Sequence, residues 1–249
     1  MLVELWGEGP RVVLIHGAMT GGPETWSRQR PLAERWQLVV VTRPGFAPSP
    51  PEPDSDFERD AAAVAELLEE PAHVVGHSYG GLIALLAANE RQDSVRSLTV
   101  IEPAVMSLRR GDADVEASIA NHLSLLATHG ADPRAFLAAF TESLGGDPST
   151  VPDPLPEPLR QNVELLMHER FPWEAVIPTE SLSQASFPKL IVSGGYSDMQ
   201  EALCDDLAAR LGDSVDRVAL PGRGHVVQRT GAPFNDRLEH FLVAATTPT

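Results

Sequence analysis

An α/β architecture, with a mostly parallel sheet covered by helices on both faces, follows from three features of this 249-residue sequence. Short β-branched runs alternate with longer stretches of helical periodicity, the pattern of strand–helix–strand crossovers. One long block between two of these runs carries helical patterns only, so the alternation is interrupted by an insertion. With 43% hydrophobic and 22% charged residues, the chain has the composition of a globular domain with a sizeable core. At roughly 150 residues per domain, this length gives one domain with room for an inserted subdomain.

The strand-like runs are 12–15, 38–42, 73–75, 98–101, 190–192 and 215–220. Helical spacing of apolar residues covers 23–36, 56–70, 78–91, 200–211 and 232–245. The insertion shows helical segments near 113–129, 133–144 and 157–169. Its Pro-rich stretch Val151-Pro-Asp-Pro-Leu-Pro-Glu-Pro158 cannot be helical at its centre and is expected to be an extended hinge between pairs of helices. The expected organisation is therefore a core of 1–103 and 188–249 with a helical cap of 104–187.

Charge narrows the function classes. Nineteen Lys and Arg face thirty-five Asp and Glu, a formal net charge of −16. Such a surface repels phosphate backbones and anionic headgroups, so neither nucleic acid nor membrane is an expected partner. Cys204 is the sole cysteine, which excludes an internal disulfide and a cysteine zinc cluster, and its helical setting reads as a buried thiol. The first ten residues have no basic start and no apolar run of signal length, and no stretch reaches about 18 apolar residues. A soluble, cytoplasmic protein is expected.

Ligands of open parallel sheets bind at the carboxyl ends of the strands, so the tip residues are where chemistry is sought. They read His16-Gly17-Ala18-Met19, Gly76-His77-Ser78-Tyr79-Gly80-Gly81, Glu102-Pro103, Gly194-Gly195-Tyr196-Ser197-Asp198 and Gly222-Arg-Gly-His225. Gly76-His-Ser78-Tyr-Gly80 is a G-x-S-x-G placed between an apolar strand and an apolar helix. A serine on so sharp a turn has unusual backbone angles, and side chains two residues to either side would collide. The helix that follows aims its positive end where an oxyanion would form.

His16-Gly17, Arg43-Pro-Gly-Phe46, Gly-His-Ser-Tyr-Gly-Gly and the late Gly224-His225 together resemble the α/β-hydrolase superfamily over nearly the whole chain. The resemblance implies Ser78 as nucleophile, His225 as its general base, and the Ala18 and Tyr79 N–H groups as the oxyanion hole. Two features depart from the pattern. Thr42-Arg43 stands where an acid usually precedes the Pro-Gly turn. One of the two usual opening strands is also missing, which leaves 2–6 as the sheet edge. Such an edge makes a homodimer conceivable beside a monomer.

The other histidines read as structural: His16 and His77 belong to turn motifs, His122, His129 and His168 lie on cap helices, and His73 and His240 sit within elements. Two acids compete for the third triad position. Asp198 lies in the loop where most family members keep it, although Ser197-Asp-Met-Gln200 also fits a capping box. Glu102 lies at the tip of the run 98–101, a position that some members, zearalenone lactonases among them, use for the acid.

The expected function is hydrolysis of an ester, lactone or thioester of a small, largely apolar molecule through an acyl-enzyme, with no metal or organic cofactor. Among cap residues Met106, Phe136, Phe140, Met167, Phe171 and Trp173, most are expected to pack inward. Met19, Met106 and Trp173 are the substrate-contact candidates. A serine nucleophile argues against the dehalogenases and epoxide hydrolases of this superfamily. Val226, where plant hydroxynitrile lyases carry a lysine, argues against that activity, and Lys189 is the chain's only lysine. A non-hydrolytic protein of this fold, such as a ligand receptor, cyclase, isomerase or lyase, is one alternative. An aminopeptidase is the other, with Asp112, Asp114 and Glu116 as candidates to receive a free amine.

Overall fold

The protein is described by a computed structural model over residues 1–246. Seven strands form one sheet: β1 (Leu2–Trp6), β2 (Arg11–Ile15), β3 (Gln37–Thr42), β4 (Ala72–His77), β5 (Val95–Ile101), β6 (Lys189–Ser193) and β7 (Val215–Ala219). Their spatial order is β1-β3-β2-β4-β5-β6-β7. Only β1 runs antiparallel, against β3, and it forms the edge, as the sequence indicates. All other pairings are parallel.

Alternate side chains of each strand enter different cores. Val13, Ile15, Val39, Val41, Val74 and Val100 join the helices α2 (Phe57–Glu66), α3 (Tyr79–Glu90) and α8 (Asp198–Leu211) on one face. Val12, Leu14, Leu38, Val40, Val75 and Val192 meet Trp26, Trp36 and the helix α9 (Ala232–Thr246) on the other. Central α3 is buried nearly all round, which explains its uniform run Leu82-Ile-Ala-Leu-Leu-Ala87.

Several element boundaries differ from the sequence reading, and two of the differences have a clear local cause. The helix expected over 23–36 is a short α1 (Gly22–Thr25) followed by a 3-10 stretch, Ser27–Glu34. Pro31 lies inside that stretch, where it removes an N–H and its ring would strike the carbonyl four residues earlier in an α-helix. At the other site, α8 starts at Asp198 rather than 200 because Ser197 caps it, its hydroxyl accepting from the Gln200 N–H at 3.4 Å.

Between β5 and β6 the chain is helical: α4 (Ala113–His129), α5 (Pro133–Ser143), α6 (Glu157–Leu166) and α7 (Thr179–Gln184). Asp112 and Asp132 cap α4 and α5, each side chain accepting from two backbone N–H groups. Such a cap contributes about 1 kcal/mol. A small core of Phe136, Leu137, Val151, Val163 and Leu166 holds α5 and α6 together, and Ala18 and Met19 from the β2–α1 loop pack against it. Long-range polar contacts seat the insertion on the sheet. Asn162 accepts from Ala47 N–H at 2.7 Å and donates to Met19 O at 3.0 Å, and Gln161 donates to Gly45 O and Ser49 O. Among the described residues no helix is long and apolar enough to cross a membrane.

Candidate active site

Ser78 occupies the turn between β4 and α3 with φ +55° and ψ −122°. A non-glycine residue held there costs about 1–3 kcal/mol, so the surroundings must enforce it. They do so through the backbone: Ser78 N–H donates to Ile101 O at 2.9 Å, and its own carbonyl accepts from Gly81 N–H and Ala104 N–H. Side chains at Gly76 or Gly80 would drive into the Gly80 carbonyl or the carbonyls of Ile15 and His16 at the end of β2. A Cβ on Gly17 would stand 2.9 Å from Ser78 Cβ. The glycines of the motif are thus a packing requirement around the serine.

Three non-glycine residues in the described chain have positive φ: Met19, Ser78 and Glu102. All three line one cavity of about 400 Å³, open to solvent between the strand tips and the helical insertion. Backbone strain of this kind concentrates at functional sites, and here it includes the serine of the strand-to-helix turn.

Glu102 follows β5 and is fully buried. Its Oε1 accepts from Gly194 N–H at 2.6 Å, and its Oε2 lies 2.8 Å from His225 Nδ1. A carboxylate can only accept, so Nδ1 carries the proton and Nε2 is left as the basic nitrogen. His225 and Ser78 line the same cavity. Asp198 does not reach this group. It is an exposed first-turn residue of α8, placed there by the Ser197 cap, and the hydrogen bond from His225 Nδ1 goes to Glu102.

His77, set aside in the sequence as a turn residue, clamps the loop that carries His225. Its Nε2–H donates to the His225 carbonyl at 2.9 Å, with the two rings 4.9 Å apart. Burial, reinforced by His225 beside it, holds the His77 pKa well below its ordinary value and keeps the ring neutral. Its place next to Ser78 in the motif was the one signal that could have pointed to it.

Ala18 and Tyr79 also line the cavity. Tyr79 is the first residue of α3, so its N–H is outside the helix ladder. Of the contact candidates, Met19, Met106 and Trp173 all line the cavity, joined by Phe140 and Phe171. Phe136 does not; it is buried in the insertion core and stacked on Phe140. Met167 packs against that same core. His122 stands edge-on to Phe140, Phe171 and Trp173, and burial lowers its pKa.

The charged residues lining the cavity are Glu102, Asp114 and Glu169, and the lining includes no Lys or Arg. Asp112 and Glu116 are engaged elsewhere, by Arg109 and Arg110. Lys189 lies apart from the chemistry: buried at the start of β6, its ammonium donates to Ala185 O, Phe187 O and Ser214 Oγ. Among the described residues no cluster of His, Cys, Asp and Glu could hold a metal ion.

Known proteins resemble this chain in sequence and in fold. A family model described as the alpha/beta hydrolase family matches residues 12–237. The chain is 35% identical to a pimeloyl-[acyl-carrier protein] methyl ester esterase of Methylococcus capsulatus over 167 residues, 59% of this chain and 65% of that one. In that alignment the chain thus spans less than two thirds of its relative. A protein of the same name from Xanthomonas oryzae is 29% identical over 94% of this chain and 92% of its own. A thermophilic esterase from Thermogutta terrifontis has the same fold, with a TM-score of 0.75 at 20% identity, covering 99% of this chain and 94% of that one. The chain belongs to the alpha/beta hydrolase family.

Proposed function

We propose that the protein is a serine hydrolase that cleaves a carboxylic ester through an acyl-enzyme. One observation carries the reading: a strained serine and a histidine tethered to a buried carboxylate share one cavity. Ser78 Oγ attacks the acyl carbon as His225 Nε2 takes its proton. The Ala18 and Tyr79 N–H groups hold the oxyanion, and His225 returns the proton to the departing alcohol oxygen. Water then attacks the acyl-Ser78, losing its proton to His225, and His225 passes that proton to Ser78 Oγ as the acid is released. Glu102 keeps the imidazole in the required tautomer and stabilises the imidazolium. The helical insertion acts as the cap that closes the mouth.

The lining residues favour an uncharged, largely apolar ester, because Met106, Phe140, Phe171 and Trp173 face the cavity and no cation is present to receive a free carboxylate. A methyl ester of an acyl chain is the first class to try, since relatives bear the name of methyl ester esterases. The segment 104–187 contains five arginines and no lysine against twelve Asp and Glu. That balance favours a free ester over one tethered to an anionic carrier. Lactones of similar size fit the same chemistry and belong in the same panel.

The test is hydrolysis of p-nitrophenyl esters of graded chain length, fatty-acid methyl esters and lactones by the wild type and by Ser78→Ala. Turnover that rises with acyl length and vanishes in the variant supports the proposal. A folded wild type that hydrolyses none of them, while binding an acyl compound tightly, points to a receptor instead.

A further inference from the structure

We infer that Arg43 is a positioning residue for the oxyanion donor, gripping the carbonyl end of the peptide whose other end is the Ala18 N–H. The inference rests on the esterase reading above. The Gly17 carbonyl and the Ala18 N–H belong to one planar trans peptide and point in opposite directions. Fixing the oxygen therefore fixes the direction of the N–H.

Two buried donors converge on that oxygen. Arg43 Nη1 lies 2.9 Å from Gly17 O, and His16 Nδ1 lies 2.8 Å from it. The second donor depends on the first residue as well, because the Arg43 N–H donates to His16 Nε2 at 3.0 Å and so leaves the proton on Nδ1. A carbonyl that accepts from a guanidinium is polarised, which makes the N–H of the same peptide a stronger donor.

Arg43 is itself held without freedom. It is fully buried between the rings of Phe46 and Tyr79, with its Cζ 4.6 and 4.5 Å from their centroids. Its Nε donates to Asp60 at 2.8 Å, and its Nη2 to Ser55 Oγ at 2.6 Å and to Glu169 at 2.7 Å. Asp60 belongs to α2 and Glu169 to the helical insertion, so one guanidinium joins the core, the insertion and the oxyanion loop. A planar fork serves these partners at once, and a lysine could not.

The experiment compares three proteins. In Arg43→Met/Asp60→Asn/Glu169→Gln the grip is removed and no buried charge is left unpaired. In Asp60→Asn/Glu169→Gln the acids are neutralised but Arg43 still reaches Gly17. Each is assayed against the wild type for kcat and KM on a p-nitrophenyl ester, for inhibition by an alkyl trifluoromethyl ketone, and for thermal unfolding. The adduct of that ketone places an oxyanion in the hole, so its affinity reports on the transition state. The triple variant is expected to lose about 10–100-fold in kcat with KM within about threefold. Its inhibition constant for the ketone should rise by the factor by which kcat/KM falls. The double variant, which removes the counter-charges of Arg43 and alters one cavity-lining residue but keeps the grip on Gly17, should lose several-fold less than the triple variant in both kcat and ketone affinity.

Unchanged ketone affinity in a folded triple variant would overturn the inference, as would equal losses in the double variant. A triple variant that fails to fold while the double variant folds assigns Arg43 a purely structural role, and so does failure of both. A folded wild type that neither hydrolyses the ester nor binds the ketone removes the esterase reading, and this inference with it.

Discussion

The strand tips and the helical insertion build the two halves of the site by different means. At the tips, position follows from the backbone. Ser78, Glu102 and His225 each come directly after a strand or in the loop beyond one, and their partners are neighbours at adjacent tips, such as Gly194 N–H on Glu102. In the insertion, position follows from side chains that reach across more than a hundred residues of sequence. Asn162 holds Met19, and Glu169 meets Arg43. The first kind of order is a property of the fold, whereas the second must be written residue by residue.

That difference can be broken at either end. The largest effect belongs to the tips: Ser78→Ala should lower kcat by about 10⁴–10⁶ while leaving the fold intact, checked by ester hydrolysis and circular dichroism. Next is the pair of acids. Glu102→Gln should cost about 10³–10⁴ in kcat, because the amide supports the wrong imidazole tautomer, and Asp198→Asn should remain within about threefold. Equal losses in the two variants would mean that His225 changes partners during turnover.

Acid should weaken the sheet and its tips through three buried histidines. Burial depresses the pKa of His16 to about 3 and of His73 to about 4, and holds that of His77 well below 6.5. Each of these groups binds a proton more readily when unfolded. Their contribution to stability is therefore complete above about pH 6.5 and is lost as the pH falls toward the folded values. The slope is up to about 1.4 kcal/mol per pH unit for each histidine. Urea midpoints measured between pH 7 and 4.5 should fall steadily, and His73→Gln should flatten the curve.

The smallest effects belong to the insertion. Asn162→Ala removes one hydrogen bond to Ala47 and one to Met19, and should cost about 1–3 kcal/mol of stability with a few-fold drop in kcat. Trp173→Ala should raise KM by about tenfold for longer acyl chains and leave kcat nearly unchanged, which separates a wall of the pocket from the machinery.

Legibility in the sequence divides along the same line. The alternation of runs disclosed the sheet and its helices. The turn that holds Ser78 was legible because a serine on so tight a turn forces glycines at fixed spacing, and the place of His225 because it follows the last strand. Choosing between Glu102 and Asp198 needed coordinates, since both lie at tips and only direction separates them. Arg43 looked like a mere departure from a motif. Its meaning depends on Asp60, Ser55 and Glu169, which no periodicity connects to it. His77 was hidden for a similar reason, because its hydrogen bond crosses from one tip loop to another.

The central claim is an acyl intermediate on Ser78, and it is tested most directly by intact-protein and peptide mass spectrometry after brief reaction with a fluorophosphonate and, separately, with a p-nitrophenyl ester quenched in acid. The account predicts one adduct per chain on the peptide containing Ser78 in both cases, absent from Ser78→Ala and slow to form in Glu102→Gln. A folded, hydrolytically active protein that shows no adduct on Ser78 would contradict it.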